Sequence, residues 1–181
     1  MKSKILAVSA ISAGFVAIAL TVGAYIDMAD LFALVVASAF VILPLYYGSY
    51  KGCFLSFFAG GAIALVFALP RFNSVVFPSY FLFFGLYPVV SEYAKSKNVK
   101  KGVRYLIGAI WCVLFFYGAY FYYTAVLNLS IGDFPEWLGW LSDNLLYFIA
   151  AFAVAFYFIF DRFIFVVRNL TDRYLGKIVK K

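Results

Sequence analysis

The stretch SEYAKSKNVKKGVR, residues Ser91–Arg104, decides how the rest of the chain is arranged. It holds five basic residues against the single acid Glu92, and it separates two long regions that contain almost no charge. When apolar regions span a membrane, a short loop rich in Lys and Arg stays on the cytoplasmic side, because basic loops resist translocation. The stretch therefore predicts a cytoplasmic loop that orients every other segment.

The composition excludes a water-soluble domain. Of the 181 residues, 66% are hydrophobic and 13% are charged, and the mean hydropathy is +0.98. A soluble chain of this size needs more polar surface than these residues provide, and its single core cannot hold so much apolar area. The chain is therefore predicted to be an integral membrane protein.

Six apolar runs predict an all-α bundle of six transmembrane helices. A helix rises about 1.5 Å per residue, so about 20 residues cross a hydrocarbon core of roughly 30 Å. The first run is longer than the apolar region of a signal peptide, which predicts an uncleaved span. The runs are Ile5–Ile26, Leu31–Tyr47, Cys53–Leu69, Ser74–Val90, Tyr105–Leu127 and a last one from near Leu141 to Phe160.

The charge distribution predicts that both termini lie in the cytoplasm. In that topology Arg71 alone, of the fifteen Lys and Arg residues, lies outside, together with five of the eight acids. Residues 168–181 combine basic side chains with apolar ones at helical spacing, which predicts a basic amphipathic cytoplasmic tail after a membrane domain at residues 1–167. The predicted location is the bacterial plasma membrane, with several spans in the lipid bilayer.

The residue types present argue against an enzyme. The chain has no His, which removes His-based catalytic triads, the HExxH zinc site and the commonest metal ligand. Cys53 and Cys112 lie in apolar runs without CxxC spacing and are interpreted as packing residues. The basic residues follow apolar spans and do not form a basic surface with interleaved aromatics, which argues against nucleic-acid binding. We expect no metal and no cofactor.

Small residues recur at every fourth position in two of the runs. This spacing lets another helix approach closely, since backbone packing replaces the hydrophobic drive in lipid. Packing within the bundle is the preferred interpretation for the third run, whereas the first run is nearly as well suited to contact with a separate membrane subunit as to packing within the bundle. The residues are Ser9, Ala13 and Ala17 in the first run, with Ala10 and Gly14 alongside, and Gly52, Ser56, Gly60, Ala64 and Ala68 in the third.

Aromatic and polar residues collect at the predicted outer ends of the spans. Tryptophan faces can stack on a small ligand while a few polar groups orient it. The same residues also suit the aromatic belt that membrane proteins carry at the outer headgroups. No charged residue lies near the middle of a predicted span, which argues against coupling to an ion gradient. The candidate substrate-binding residues are Tyr25, Asp27, Arg71, Asn73, Trp137, Trp140 and Asn144.

Two segments resemble parts of known small membrane proteins. The pattern Ala13-x-x-x-Ala17, extended back to Ser9, resembles the AxxxA pattern by which the substrate-binding S components of energy-coupling factor (ECF) transporters dock on their transmembrane coupling subunit. The stretch YFLFFGLYP, residues Tyr80–Pro88, is similar to an F-F-G-x-Y-P segment in uncharacterised small membrane proteins of Gram-positive bacteria that are placed near this group.

The resemblance implies a substrate-binding subunit of an ATP-driven uptake transporter for a vitamin or another small metabolite. Such a subunit captures its ligand at the outer face, and two cytoplasmic ATPases act on it through the coupling subunit. Ser9, Ala13 and Ala17 would then meet the coupling subunit. The alternative is a six-span scaffold of cell-envelope machinery, which would bind partner proteins through the same small-residue faces and carry no ligand.

Overall fold

The computed structural model describes residues 2–26, 28–71, 75–122, 124 and 144–179, and the regular structure of these residues is helical throughout. The predicted all-α class is therefore confirmed. The chain divides into two compact units, one formed by Met1–Val99 with Phe160–Lys181 and the other by Lys100–Ile159. Within the described residues, five helices are long and apolar enough to cross a membrane: Ser3–Tyr25, Asp30–Tyr47, Tyr50–Phe67, Lys101–Phe121 and Leu145–Arg173.

The first three apolar runs form helices close to the predicted bounds. Helix α1 covers Lys2–Tyr25, α2 covers Asp30–Val41 and continues as the 3-10 segment Leu43–Tyr47, and α3 covers Tyr50–Phe67. The turn into α3 depends on two residues. Gly48 adopts a left-handed conformation with φ of 67°, which glycine takes without steric cost. Ser49 then caps α3, its side chain accepting a hydrogen bond from the Gly52 N–H at 3.0 Å.

The fourth apolar run is helical but changes its hydrogen-bond register between two prolines. Helix α4 covers Val76–Ser79, a π-helical segment covers Tyr80–Phe84, and α5 covers Leu86–Ser96. The Gly85 N–H donates to the Tyr80 carbonyl at 2.8 Å, which is the five-residue spacing of a π-helix. A proline in the turn above or below removes a regular helical hydrogen bond, which favours such a register change.

The predicted central loop is mostly helix. Helix α5 runs to Ser96 and α6, Lys101–Phe121, begins soon after, so residues 97–100 alone separate them. Asn98 ends α5 in a left-handed conformation with φ of 55°, and the Val99 N–H reaches back to the Ala94 carbonyl at 3.1 Å. The prediction that all of Ser91–Arg104 forms a loop was wrong, because the apolar stems of long basic side chains let a helix continue past the last apolar residue.

Contacts in the first unit show that α1, α2 and α3 alternate in direction. Phe15 stacks on Phe40 with ring centroids 4.7 Å apart, and a Cβ placed on Gly23 would lie 2.7 Å from the Cβ of Ala33. Residues later in α1 therefore contact residues earlier in α2, so these two helices are antiparallel. Helix α3 runs parallel to α1, since the Tyr25 hydroxyl at the end of α1 donates to the Phe67 carbonyl at the end of α3.

The segment from α4 to α5 runs antiparallel to α3. Near the start of α3, the Tyr50 and Tyr93 rings lie 5.5 Å apart. Farther along α3, a Cβ placed on Gly85 would lie 2.5 Å from the Phe57 ring. The first four segments of the chain therefore alternate in direction, as consecutive membrane spans do.

The last helix, α7, covers Leu145–Val179 without a break. The predicted boundary between residues 167 and 168 lies inside it, so the basic tail continues the span and is not a separate helix. Its first part packs antiparallel to α6 in the second unit. There a Cβ placed on Gly108 would lie 2.5 Å from the Tyr157 hydroxyl, and the Tyr117 hydroxyl donates to the Leu146 carbonyl at 3.1 Å.

Candidate functional site

The small residues predicted to dock on a coupling subunit lie on the buried side of α1. Ser9, Ala13 and Ala17 are only 1%, 4% and 5% exposed. The Ser56 hydroxyl of α3 donates to the Ser9 carbonyl at 3.0 Å, and a Cβ placed on Gly60 would lie 3.0 Å from the Ala13 carbonyl oxygen. The small residues of the third run thus pack against those of the first, and docking through these side chains would require α1 and α3 to separate.

A second set of small residues on α1 is open. Ala7 and Ala10 are exposed, and a Cβ placed on Gly14 would meet no heavy atom of the described residues within 4 Å. Ile11 and Ile18 are exposed on the same side. A small residue every third or fourth position, flanked by larger apolar ones, is the surface on which a second transmembrane helix packs closely. Ala10 and Gly14 therefore offer an exposed small-residue surface on α1, next to the buried residues that were predicted to dock.

The predicted substrate-binding residues are only partly within the described chain. Tyr25 is exposed at the end of α1, and Arg71 is exposed at the end of the 3-10 segment Leu69–Arg71 that follows α3. Because α1 and α3 are parallel, these two residues lie at the same end of the first unit. Asn144 belongs to the second unit, where its carbonyl accepts a hydrogen bond from the Tyr147 N–H at 3.0 Å. Asp27, Asn73, Trp137 and Trp140 lie outside the described residues.

A cluster of charges that was not predicted lies at the opposite end of the first unit. Glu92 of α5 is buried, and its two carboxylate oxygens bond Lys95 and Arg168. The Arg168 Nε also lies 3.6 Å from the Asp172 carboxylate one turn along α7. Two cations around one buried carboxylate offset the cost of removing it from water. The cluster fixes α7 to α5.

A second polar contact joins the same two helices. The Tyr87 hydroxyl donates to Asp161 Oδ1 at 2.8 Å, and both side chains are buried. The hydroxyl therefore satisfies the Asp161 carboxylate inside the contact between α5 and α7. Tyr87 contacts Asp161, and Glu92, later in α5, contacts Arg168, later in α7. The two helices run parallel where they touch.

Local sequence gives little sign of these contacts. Tyr87 and Asp161 are 74 positions apart in the chain, and Glu92 and Arg168 are 76 apart. The one available signal was that Glu92 is the single acid of a basic stretch, which marks it as a residue with a specific partner. Among the described residues, no group of three or more His, Cys, Asp or Glu side chains could hold a metal ion.

The described structure is that of an all-α protein with several helices able to cross a membrane, which supports a multi-pass membrane protein. No family model matches the chain, and comparisons with curated proteins and with solved structures gave no match either.

Proposed function

We propose that the chain crosses the bacterial plasma membrane six times, with both termini in the cytoplasm. The alternating directions of the first four segments support this topology. Residues 76–96 give the fourth span about 30 Å of helix at about 1.5 Å per residue. Helices α5 and α7 run parallel where they touch, so the chain between them must cross back, and α6 is long enough to do so. All Lys and Arg residues except Arg71 then lie inside.

Within this topology, the chain acts as the substrate-binding subunit of an ATP-driven uptake transporter for a vitamin or other small metabolite. It captures ligand at its outer end, where Tyr25 and Arg71 lie, and docks on a transmembrane coupling subunit that two cytoplasmic ATPases drive. The observation that carries the proposal is the open surface around Gly14, which lets a partner helix approach the α1 backbone. This surface replaces Ser9, Ala13 and Ala17 as the docking site.

A membrane scaffold of cell-envelope machinery is the second candidate. The specific observation in its favour is that Ser9, Ala13 and Ala17, the pattern that carried the resemblance to ECF transporters, pack against α3 within the chain. A scaffold would bind its partner through the same open surface of α1 but would hold no ligand at its outer end.

Affinity purification of the tagged protein from its native membrane in mild detergent separates the two candidates. A transporter subunit would co-purify with a membrane coupling subunit, two ATPases and a small metabolite, all detectable by mass spectrometry. A scaffold would co-purify with cell-envelope proteins, and the sample would contain neither ATPases nor a metabolite.

A pair of glycine variants tests the docking surface in the same experiment. Gly14→Leu fills the open surface of α1 and should remove the partner while the protein stays monodisperse. Gly118→Leu is the matched control, because a Cβ on Gly118 also meets no heavy atom within 4 Å but lies on α6. Recovery of the same partner with Gly14→Leu as with the wild type would contradict docking through α1.

A further inference from the structure

The outward side of α7 carries two arginines near its cytoplasmic end. Arg162 and Arg173 are about three helical turns apart and therefore project from the same side of the helix. Both are exposed, and the apolar side chains Val166 and Leu170 are exposed between them. This side, defined by the four residues, is called the arginine face below.

Contacts on the opposite side of α7 hold the arginine face outward. Asp161 accepts a hydrogen bond from α5, and Arg168 bonds Glu92 of the same helix. The charge of Arg168 is thus already compensated within the protein. Among the described residues, by contrast, no carboxylate forms an ion pair with Arg162 or Arg173. These two guanidinium groups are available to an external anion.

The length of α7 places the arginine face at the inner surface of the membrane. Its 35 residues give about 52 Å at about 1.5 Å per residue, well beyond a hydrocarbon core of roughly 30 Å. If the core begins near Leu145, it ends about 20 residues later. Arg162 then lies about 4 Å inside the boundary and Arg173 about 12 Å beyond it at about 1.5 Å per residue, and the long arginine side chains extend toward the phosphate layer from the two sides. This step rests on the proposed topology and is independent of the transporter function.

We propose that the arginine face binds an anionic glycerophospholipid of the inner leaflet. A guanidinium group presents paired N–H donors that match the non-ester oxygens of a phosphate. Arg162 and Arg173 reach the phosphodiester from the two sides of the boundary, while Val166 packs against the glycerol backbone and Leu170 lies beside the headgroup. Such a lipid neutralises the two arginines, for which the described residues supply no ion-pair partner.

Native mass spectrometry of the full-length protein in mild detergent tests this proposal. Phosphatidylglycerol and phosphatidylcholine with the same acyl chains are titrated separately, and bound lipids are counted. A basic side chain near an anionic surface contributes about 1 kcal/mol, or about fivefold in affinity. We expect Arg162→Gln with Arg173→Gln to weaken phosphatidylglycerol binding by about 25-fold and to leave phosphatidylcholine binding unchanged. The double Arg→Lys variant should keep most of the selectivity.

Arg71→Gln is the control, since it removes a cation from the other end of the first unit. An equal loss with Arg71→Gln would show that net charge alone attracts the lipid, which would overturn the proposal. So would equal binding of the two lipids by the wild type, or displacement of phosphatidylglycerol by soluble polyglutamate, which would indicate an acidic protein partner. Labelling of Arg173→Cys by an impermeant maleimide in intact cells would refute the topology separately.

Discussion

The hydrogen bond from Ser38 to the Phe84 carbonyl allows a direct test of the packing between α2 and the π-helical segment. Pro88, four residues after Phe84, has no N–H to donate to this carbonyl. The Ser38 hydroxyl of α2 lies 2.6 Å from this carbonyl oxygen and 2.7 Å from the Leu34 carbonyl of its own helix. A hydroxyl has one proton, so it donates to one acceptor at a time, and Leu34 already has a helical partner. We therefore expect Ser38→Ala to remove a side-chain hydrogen bond to the Phe84 carbonyl.

The expected loss of stability is about 1 kcal/mol. A typical intramolecular hydrogen bond contributes about 0.5–1.5 kcal/mol, and side-chain hydrogen bonds between membrane helices average about 0.6 kcal/mol and reach about 1.7. Pro88→Ala supplies an N–H that can donate to the Phe84 carbonyl. In that background Ser38→Ala should cost only a few tenths of a kcal/mol, so the two substitutions should be coupled by about 1 kcal/mol.

Reversible unfolding in mixed micelles, followed by tryptophan fluorescence, measures the four free energies of this cycle. Ser56→Ala is the control, because the Ser56 hydroxyl donates to the Ser9 carbonyl at 3.0 Å, away from Pro88. Its cost should be the same in both backgrounds. If Ser38→Ala costs the same with proline or alanine at position 88, within the additivity error of about 0.3–0.5 kcal/mol, Ser38 does not replace the missing donor.

Three further substitutions test the helix contacts by thermal unfolding in detergent. Gly60→Leu should lower stability by about 1–3 kcal/mol or more because α1 leaves no room for a side chain there, and an unchanged melting temperature would contradict the α1–α3 contact. Tyr87→Phe removes the donor to Asp161 and should cost about 1–3 kcal/mol, a prediction that fails if the variant is as stable as the wild type. Glu92→Gln leaves two cations without their carboxylate and should cost about 1–3 kcal/mol, whereas the exposed Asp172→Asn, its control, should change stability by less than about 1 kcal/mol.

The sequence predicted the helical class and the approximate positions of the long helices, because a helix that crosses a bilayer needs about 20 consecutive, mostly apolar residues. It did not predict where helices end. Helix α5 continues through Lys95 to Ser96, and α7 passes residue 168 without a break, since long basic side chains keep their charges in water while their helix continues. Hydropathy therefore indicates where an apolar stretch ends, but not where the helix that contains it ends.

The candidate sites were harder to predict for a different reason. A small residue at every fourth position serves helix packing and partner docking alike, and the choice depends on which side of the helix is already covered. Ser9, Ala13 and Ala17 are buried against α3, whereas Gly14 is open. The spacing of small residues along α1 does not show which of these two sides is buried. The Glu92 contact with Arg168 depends on a partner 76 positions away and leaves no local pattern.

The two partners of Glu92 also set an order of events during biosynthesis. Lys95 follows Glu92 by three positions and leaves the ribosome almost with it, whereas Arg168 follows 76 positions later. At about 5–20 residues per second, Arg168 is made on the order of 4–15 s after Glu92. Lys95 is therefore the first partner within reach of the Glu92 carboxylate. Arg168 joins the pair only after α7 has been made, so full compensation of Glu92 waits for synthesis of the last helix.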